Sequence, residues 1–359
     1  MPIGLIVMKW SSRLGAQILD KYPKEIQITD ETLMQIYASH EYGGEGGIVS
    51  FFVRSLNITS FYAGPEKSIY VILLLNLEED PDEYEDALIN GSRLILKNLQ
   101  NDSYKAMIPS IFQRISAYPK YNDEQKLSII FNDEINRLII NRLREEGVFS
   151  KSELKIWLKD VYRGWVIDID TILLDLIKKD IIKESSVKGT MSEMIFLLND
   201  LIMLRRPPIE LYNDPVQKGL PEQFIDDYRK QIKNFFEQYT PNEKDNLKIL
   251  EIILDPEVYL VLKLLRKNMA SRNMLEKLKA RGVDDIDETL KKLYEAKMIN
   301  VFQDKSQTEY YSLISDFYIG KIYPKYILNN IIQQYGVKSK SNEVLLEYLN
   351  VLQNNHSKH

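Results

Sequence analysis

Two fifteen-residue stretches, at 168–182 and 285–299, superimpose without a gap. Apolar residues coincide at Ile169/Ile286, Leu173/Leu290, Leu176/Leu293, Ile177/Tyr294, Ile181/Met298 and Ile182/Ile299. Spacing of i, i+4, i+7 and i+8 puts one apolar stripe on a helix. Each stretch opens on an aspartate, Asp168 or Asp285, able to accept hydrogen bonds from the first free backbone N–H groups. Each helix then runs into an apolar, strand-like segment. An internal repeat of this kind restricts the chain to folds that present one such unit twice.

The flanking segments complete the unit. Ahead of the first copy, the unit begins from Leu127; Ile135, Leu138, Ile139 and Leu143 line its opening helix, and Gly147 follows its end. Ser150 or Ser152 caps a second helix with Leu154, Trp157 and Leu158 inward. Strands over 182–188 and 193–198 follow the third helix. The second copy offers helices over 256–268 and 271–281, then strands over 300–303 and 309–313. Three helices and a hairpin predict a winged helix, present twice.

Before the repeats lies a different pattern. Strands are expected over 3–10, 15–19, 48–54, 58–63 and 68–77, with helices from Glu31 to His40 and after Asp80-Pro81. This order gives one antiparallel sheet with helices against it, so the fold class is α+β. The glycine-rich run from Tyr42 to Gly47 joins a helix to a strand, the reverse of a dinucleotide fingerprint, and lacks a P-loop lysine. It reads as a turn. A short helix from Ile108 to Ile115 leads out of this part.

The expected domains are 1–120 (sheet), 121–204 (first winged helix), 205–245 (connector with an amphipathic helix over 221–239), 246–316 (second winged helix) and 317–353 (helices over 319–335 and 342–352). Residues 354–359 read as a disordered tail.

The opening Arg13-Leu14-Gly15-Ala16-Gln17-Ile18-Leu19-Asp20-Lys21-Tyr22-Pro23 and the segment ending Leu74-Leu75-Asn76-Leu77 resemble the longin domain of the nitrogen permease regulator-like (GATOR-type) family. That resemblance implies a heterodimer with another longin or roadblock-type protein, engagement of small Ras-like GTPases, and a place in a peripheral membrane or trafficking complex. The family's GTPase-activating member carries an arginine finger just before the last strand of the sheet. The matching position here is Tyr70, with Lys67 the nearest cation and Arg54 on a different strand. The departure implies a non-catalytic regulator or scaffold.

No cysteine is present, which excludes thiolate chemistry and suits a reducing compartment. Of three histidines, His356 and His359 are in the tail, and His40 has no metal-ligand spacing around it. No enzyme motif, cofactor or metal site is therefore expected. The longest apolar run, Ile69 to Leu77, is strand-sized, and no signal peptide or transmembrane segment is read, so a cytoplasmic location is expected.

Net charge is −5, with 11 basic and 17 acidic residues before Gln125. The alternative function is a winged-helix DNA-binding transcription regulator. Its support is a basic run in the second unit: Arg266, Lys267, Arg272, Lys277, Lys279 and Arg281. These residues could touch a phosphate backbone or an acidic partner. The third helices themselves are net acidic, which opposes DNA.

Overall fold

The computed structural model describes residues 1–41, 46–53, 55–99, 102–162 and 169–356. The chain divides into two compact units. One comprises Met1–Tyr121, Asp133–Asp200 and Tyr323–His359, the other Asn122–Asn132 and Leu201–Ile322.

The first unit begins with β1 (Gly4–Ser11), β2 (Gly15–Tyr22), α1 (Asp30–Glu41), β3 (Gly47–Val53), β4 (Leu56–Tyr62) and β5 (Ile69–Leu75). The helices α2 (Glu85–Lys97) and α3 (Tyr104–Ala117) follow. All five strands form one antiparallel sheet in the order β2-β1-β5-β4-β3. Ile6, Met8, Tyr70, Ile72 and Leu74 share a core with Leu33 and Ile36 of α1. The intervening Leu5, Val7, Val71 and Leu73 are also fully buried, on the opposite face, which α2 and α3 cover. Cover on both faces is why β5 reads as an unbroken apolar run rather than an alternating one. Helices α2 and α3 approach closely at Gly91, where an added Cβ would lie 2.9 Å from Ile111.

Helix α4 (Asp123–Asn132) belongs to the second unit. The first repeat therefore starts later than Leu127, at Asp133, which caps α5 (Glu134–Glu146) by accepting from Ile135 N and Asn136 N. Next come β6 (Val148–Ser150), α6 (Lys151–Val161), α7 (Ile169–Lys178), β7 (Ile182–Ser185) and β8 (Met194–Leu197). Ser150 is the N-cap of α6, in a reciprocal capping box with Glu153. Asp168 lies outside the described residues.

The chain continues through β9 (Asp200–Arg206), α8 (Ile209–Asn213), α9 (Ile225–Gln238) and α10 (Glu243–Leu254) into the second repeat. That repeat holds α11 (Pro256–Lys267), β10 (Ala270–Ser271), α12 (Arg272–Glu276), α13 (Ile286–Glu295), β11 (Ile299–Gln303) and β12 (Glu309–Leu313). After it come β13 (Asp316–Ile322), α14 (Ile327–Val337) and α15 (Asn342–His356). Three expectations fail here. Strand β9 pairs with β13 and runs across the expected boundary at 204/205 between first winged helix and connector, and 319–322 belong to β13 rather than to a helix. Helix α15 runs to His356, whose Nε2 donates to Leu198 O at 3.0 Å, so 354–356 are ordered.

The repeat extends well beyond the stripe. Both third helices end in a left-handed residue, Asp180 (φ 53°) and Lys297 (φ 54°), at equivalent positions. The next amide in each copy returns to the helix: Ile181 N to Leu176 O and Met298 N to Leu293 O, each 2.9 Å. Beyond the hairpin, Leu198 N donates to Ile181 O and Ile314 N to Met298 O, each 2.8 Å. Short strands β6 and β10 pair with β8 and β12 respectively, making two three-stranded sheets of the same order. Side chains repeat as well. Arg144 Nε reaches Asp200 Oδ1 and Arg266 Nε reaches Asp316 Oδ1, both at 2.8 Å. Lys151 pairs with Asp170 as Arg272 pairs with Asp287. A buried tyrosine from a helix outside each three-helix set, Tyr348 or Tyr228, donates to the last carbonyl of the hairpin, Leu197 O or Leu313 O, at 2.9 Å. Such a bond satisfies an acceptor that burial would otherwise leave unpaired, worth about 1 kcal/mol net.

Candidate interaction site

The residues expected to face a GTPase do not form one surface. Tyr70 is only 2% exposed; its ring stacks on Tyr62 at 4.5 Å and meets His40 at 5.5 Å. Its apolar neighbours on β5 place it in the core beneath α1, and burial pushes its hydroxyl well above the usual tyrosine range. Tyr70 is thus not available to a partner at the surface. Lys67 sits half-buried in the turn between β4 and β5, and burial draws its ammonium pKa down against the opposing charge of Glu66. Arg54 lies outside the described residues, as do residues 42–45 of the glycine-rich run.

His40 is a packing residue. It is buried, shares a 3.0 Å hydrogen bond with Ser60 Oγ, and burial lowers its pKa to about 4.

Strand β3 ends the five-stranded sheet and has a strand neighbour on one side only among the described residues. Phe52 on it is 59% exposed. An edge strand with unpaired backbone groups and an exposed aromatic can accept a further strand.

The six cations of the second repeat divide into two groups. Arg266 is part of a closed network: Nη1 and Nη2 reach Glu124 at 2.7 and 3.1 Å, Nε reaches Asp316, and the guanidinium lies 4.6 Å from the Phe317 ring centroid. Burial alone would lower its pKa, but the bonds to Glu124 and the charge of Asp316 raise it instead. Arg272 is bound to Glu276 and Asp287, and Lys279 to Glu276. Lys267, Lys277 and Arg281 are exposed without an ion pair among the described residues. Three of the six are therefore committed to internal partners.

Sequence reasoning missed a second network in the second unit, built on an arginine with as many hydrogen bonds as Arg266. Arg205 on β9 gives Nε and Nη2 to the Asp245 carboxylate (2.7 and 2.8 Å), Nη1 to Ser315 Oγ and Nη2 to Ala296 O (2.7 Å each). Burial would raise the Asp245 pKa, and the Arg205 bonds outweigh it. The rings of Phe235 and Tyr239 flank the guanidinium. This group floors a cleft of about 530 Å³ rimmed by Lys244 and Lys248. Only the pairing of β9 with β13 brings Arg205 there, and no local pattern announces it.

No described helix is long and apolar enough to cross a membrane. No protein-family model, curated protein or solved structure matches the chain.

Proposed function

We propose that this chain is a non-catalytic regulator and scaffold: a longin-type layer followed by two winged helices, engaging a small Ras-like GTPase or another longin protein in a cytoplasmic regulatory or trafficking complex. One observation carries the reading. The N-terminal strand-strand-helix-strand-strand-strand order gives a sheet covered by helices on both faces, ending on the open edge of β3 with Phe52 outward. Surfaces, rather than reactive groups, are what such a layer offers, and main-chain pairing along an edge is a common recognition mode. Burial of Tyr70 and the half-buried turn of Lys67 support binding without a catalytic finger.

The test is capture from native lysate with the full chain and with Phe52→Glu, identifying bound proteins by mass spectrometry. Recovery of a GTPase or longin-containing protein by the wild type, reduced at least tenfold by Phe52→Glu, supports the proposal. Recovery of neither class refutes it. A single-turnover GTP assay on any captured GTPase should show an unchanged hydrolysis rate, and acceleration would refute the non-catalytic part. DNA binding is less well supported, because Arg266, Arg272 and Lys279 are paired internally and α13 presents Asp287, Glu288 and Glu295 outward.

A further inference from the structure

The two repeats agree at the contacts above, and among the charged positions at which they differ one is informative. In the second repeat, Asp255 uses Oδ1 to cap α11 and Oδ2 to pair with Lys292 Nζ on α13, at 2.9 Å. That pair closes the first helix onto the third with groups belonging to the repeat itself. In the first repeat, Asp133 likewise uses Oδ1 to cap α5. The residue equivalent to Lys292, however, is Asp175. Two carboxylates now stand where an ion pair stood, and like charges there would repel.

The missing cation comes from elsewhere. Arg93 of α2, in the N-terminal layer, brings Nη1 to 3.2 Å from Asp175 Oδ2 and 3.7 Å from Asp133 Oδ2. Arg93 is 7% exposed and Asp175 5%, so the arrangement is largely removed from water. It is also incompletely bonded. Arg93 Nε and Nη2, Asp175 Oδ1, both side-chain polar atoms of Asn136 and Ser92 Oγ have no hydrogen-bond partner among the described residues. Nearby, Asp86 takes Lys178 at 3.1 Å and Tyr118 Oη at 3.2 Å, so three acids face two cations. Burial pushes the Asp175 carboxyl up to about 6 against the pull of Arg93. Unbonded buried polar groups make this a weak seam compared with an apolar one.

We propose that Arg93 makes the junction of α2 with α5 and α7 a latch: the N-terminal layer supplies the counter-ion that holds the first repeat's opening and third helices together. Withdrawal of α2 then loosens the first repeat, whereas the second, with its own lysine, has no such dependence. The latch does not rest on the identity of any binding partner.

The experiment is hydrogen exchange read by mass spectrometry on the full chain. Arg93→Met should speed exchange in α5 and α7 at least tenfold and leave α11 and α13 unchanged. Arg93→Lys should give a smaller change. Adding Asp175→Lys to Arg93→Met should restore exchange to within about threefold of wild type, because the introduced lysine can pair with Asp133 as Lys292 pairs with Asp255. Unchanged exchange in Arg93→Met would overturn the proposal, as would a double variant no better protected than Arg93→Met. Equal loosening of α11 and α13 would overturn it too. Should Arg93→Met not fold, Arg93→Lys and the double variant decide the matter alone: the double variant must be at least as well protected as Arg93→Lys.

Discussion

Replacing Arg144 or Arg266 with methionine removes the same contact from each repeat, yet the two substitutions should differ in size. Arg266 makes three charge-assisted bonds of 2.7 to 3.1 Å to two carboxylates, Glu124 and Asp316. Its side chain is 21% exposed, and Asp316 only 7%. Removing one partner of a buried pair costs about 3–5 kcal/mol. The lower end applies, since Asp316 keeps Arg206 and Glu124 keeps the Tyr259 hydroxyl. Arg144 is 31% exposed, and Asp200 retains the Tyr326 hydroxyl at 2.8 Å, so about 1 kcal/mol is expected. At a urea dependence of about 2 kcal/mol per molar, midpoints should fall by about 1.5 M and about 0.5 M respectively. Trp10 and Trp157 belong to the first unit, so their fluorescence reports that unit. Exchange in peptides from 201–322 reports the other. An Arg266→Met shift below 0.5 M, or one smaller than that of Arg144→Met, would refute the reasoning.

Two further outcomes follow from charges and burial. His40 is held neutral with its pKa lowered to about 4, so the unfolded chain binds a proton between pH 6.5 and 4 that the native chain does not. Stability is therefore lost as pH falls through that window, by up to about 3 kcal/mol, and His40→Gln should remove the loss. Asp175, raised to about 6, acts with the opposite sign, so the quantity to follow is the difference between wild type and His40→Gln across pH; a difference that does not change with pH refutes the assignment. Lys277→Glu with Arg281→Glu should leave weak duplex binding, measured by fluorescence anisotropy at two salt concentrations, within about twofold of wild type. A large, salt-dependent loss would instead favour the DNA reading.

The sequence carried the N-terminal sheet and both third helices clearly, for physical reasons that can be named. Strands covered on both faces appear as apolar runs such as Ile69 to Leu75, and α13 carries both its stripe and its Asp285 cap within a dozen residues. What escaped depends on pairing across long separations. The end of strand β9 reads as connector because Arg205-Arg206-Pro207-Pro208 has no alternation, and its partner β13 lies more than a hundred residues away. Helix α10 went unread between α9 and α11, where its apolar residues merge with those of α11. Counting along the chain singles out Tyr70 as a surface candidate, but strand alternation turns it under α1. Arg93 shows the same limit most sharply. No local pattern marks it, and only the comparison of Asp175 with Lys292 shows why it is buried.

Duplication of one hydrogen-bonded framework is the central claim, and native-state exchange at two amides tests it most directly. Leu198 and Ile314 should be protected alike in the wild type, each by its 2.8 Å bond to the turn after the third helix. Tyr348→Phe should lower protection about tenfold at Leu198 alone, and Tyr228→Phe about tenfold at Ile314 alone, each corresponding to about 1.4 kcal/mol. Protection at one amide without the other, or a response to one tyrosine and not to its counterpart, would contradict it.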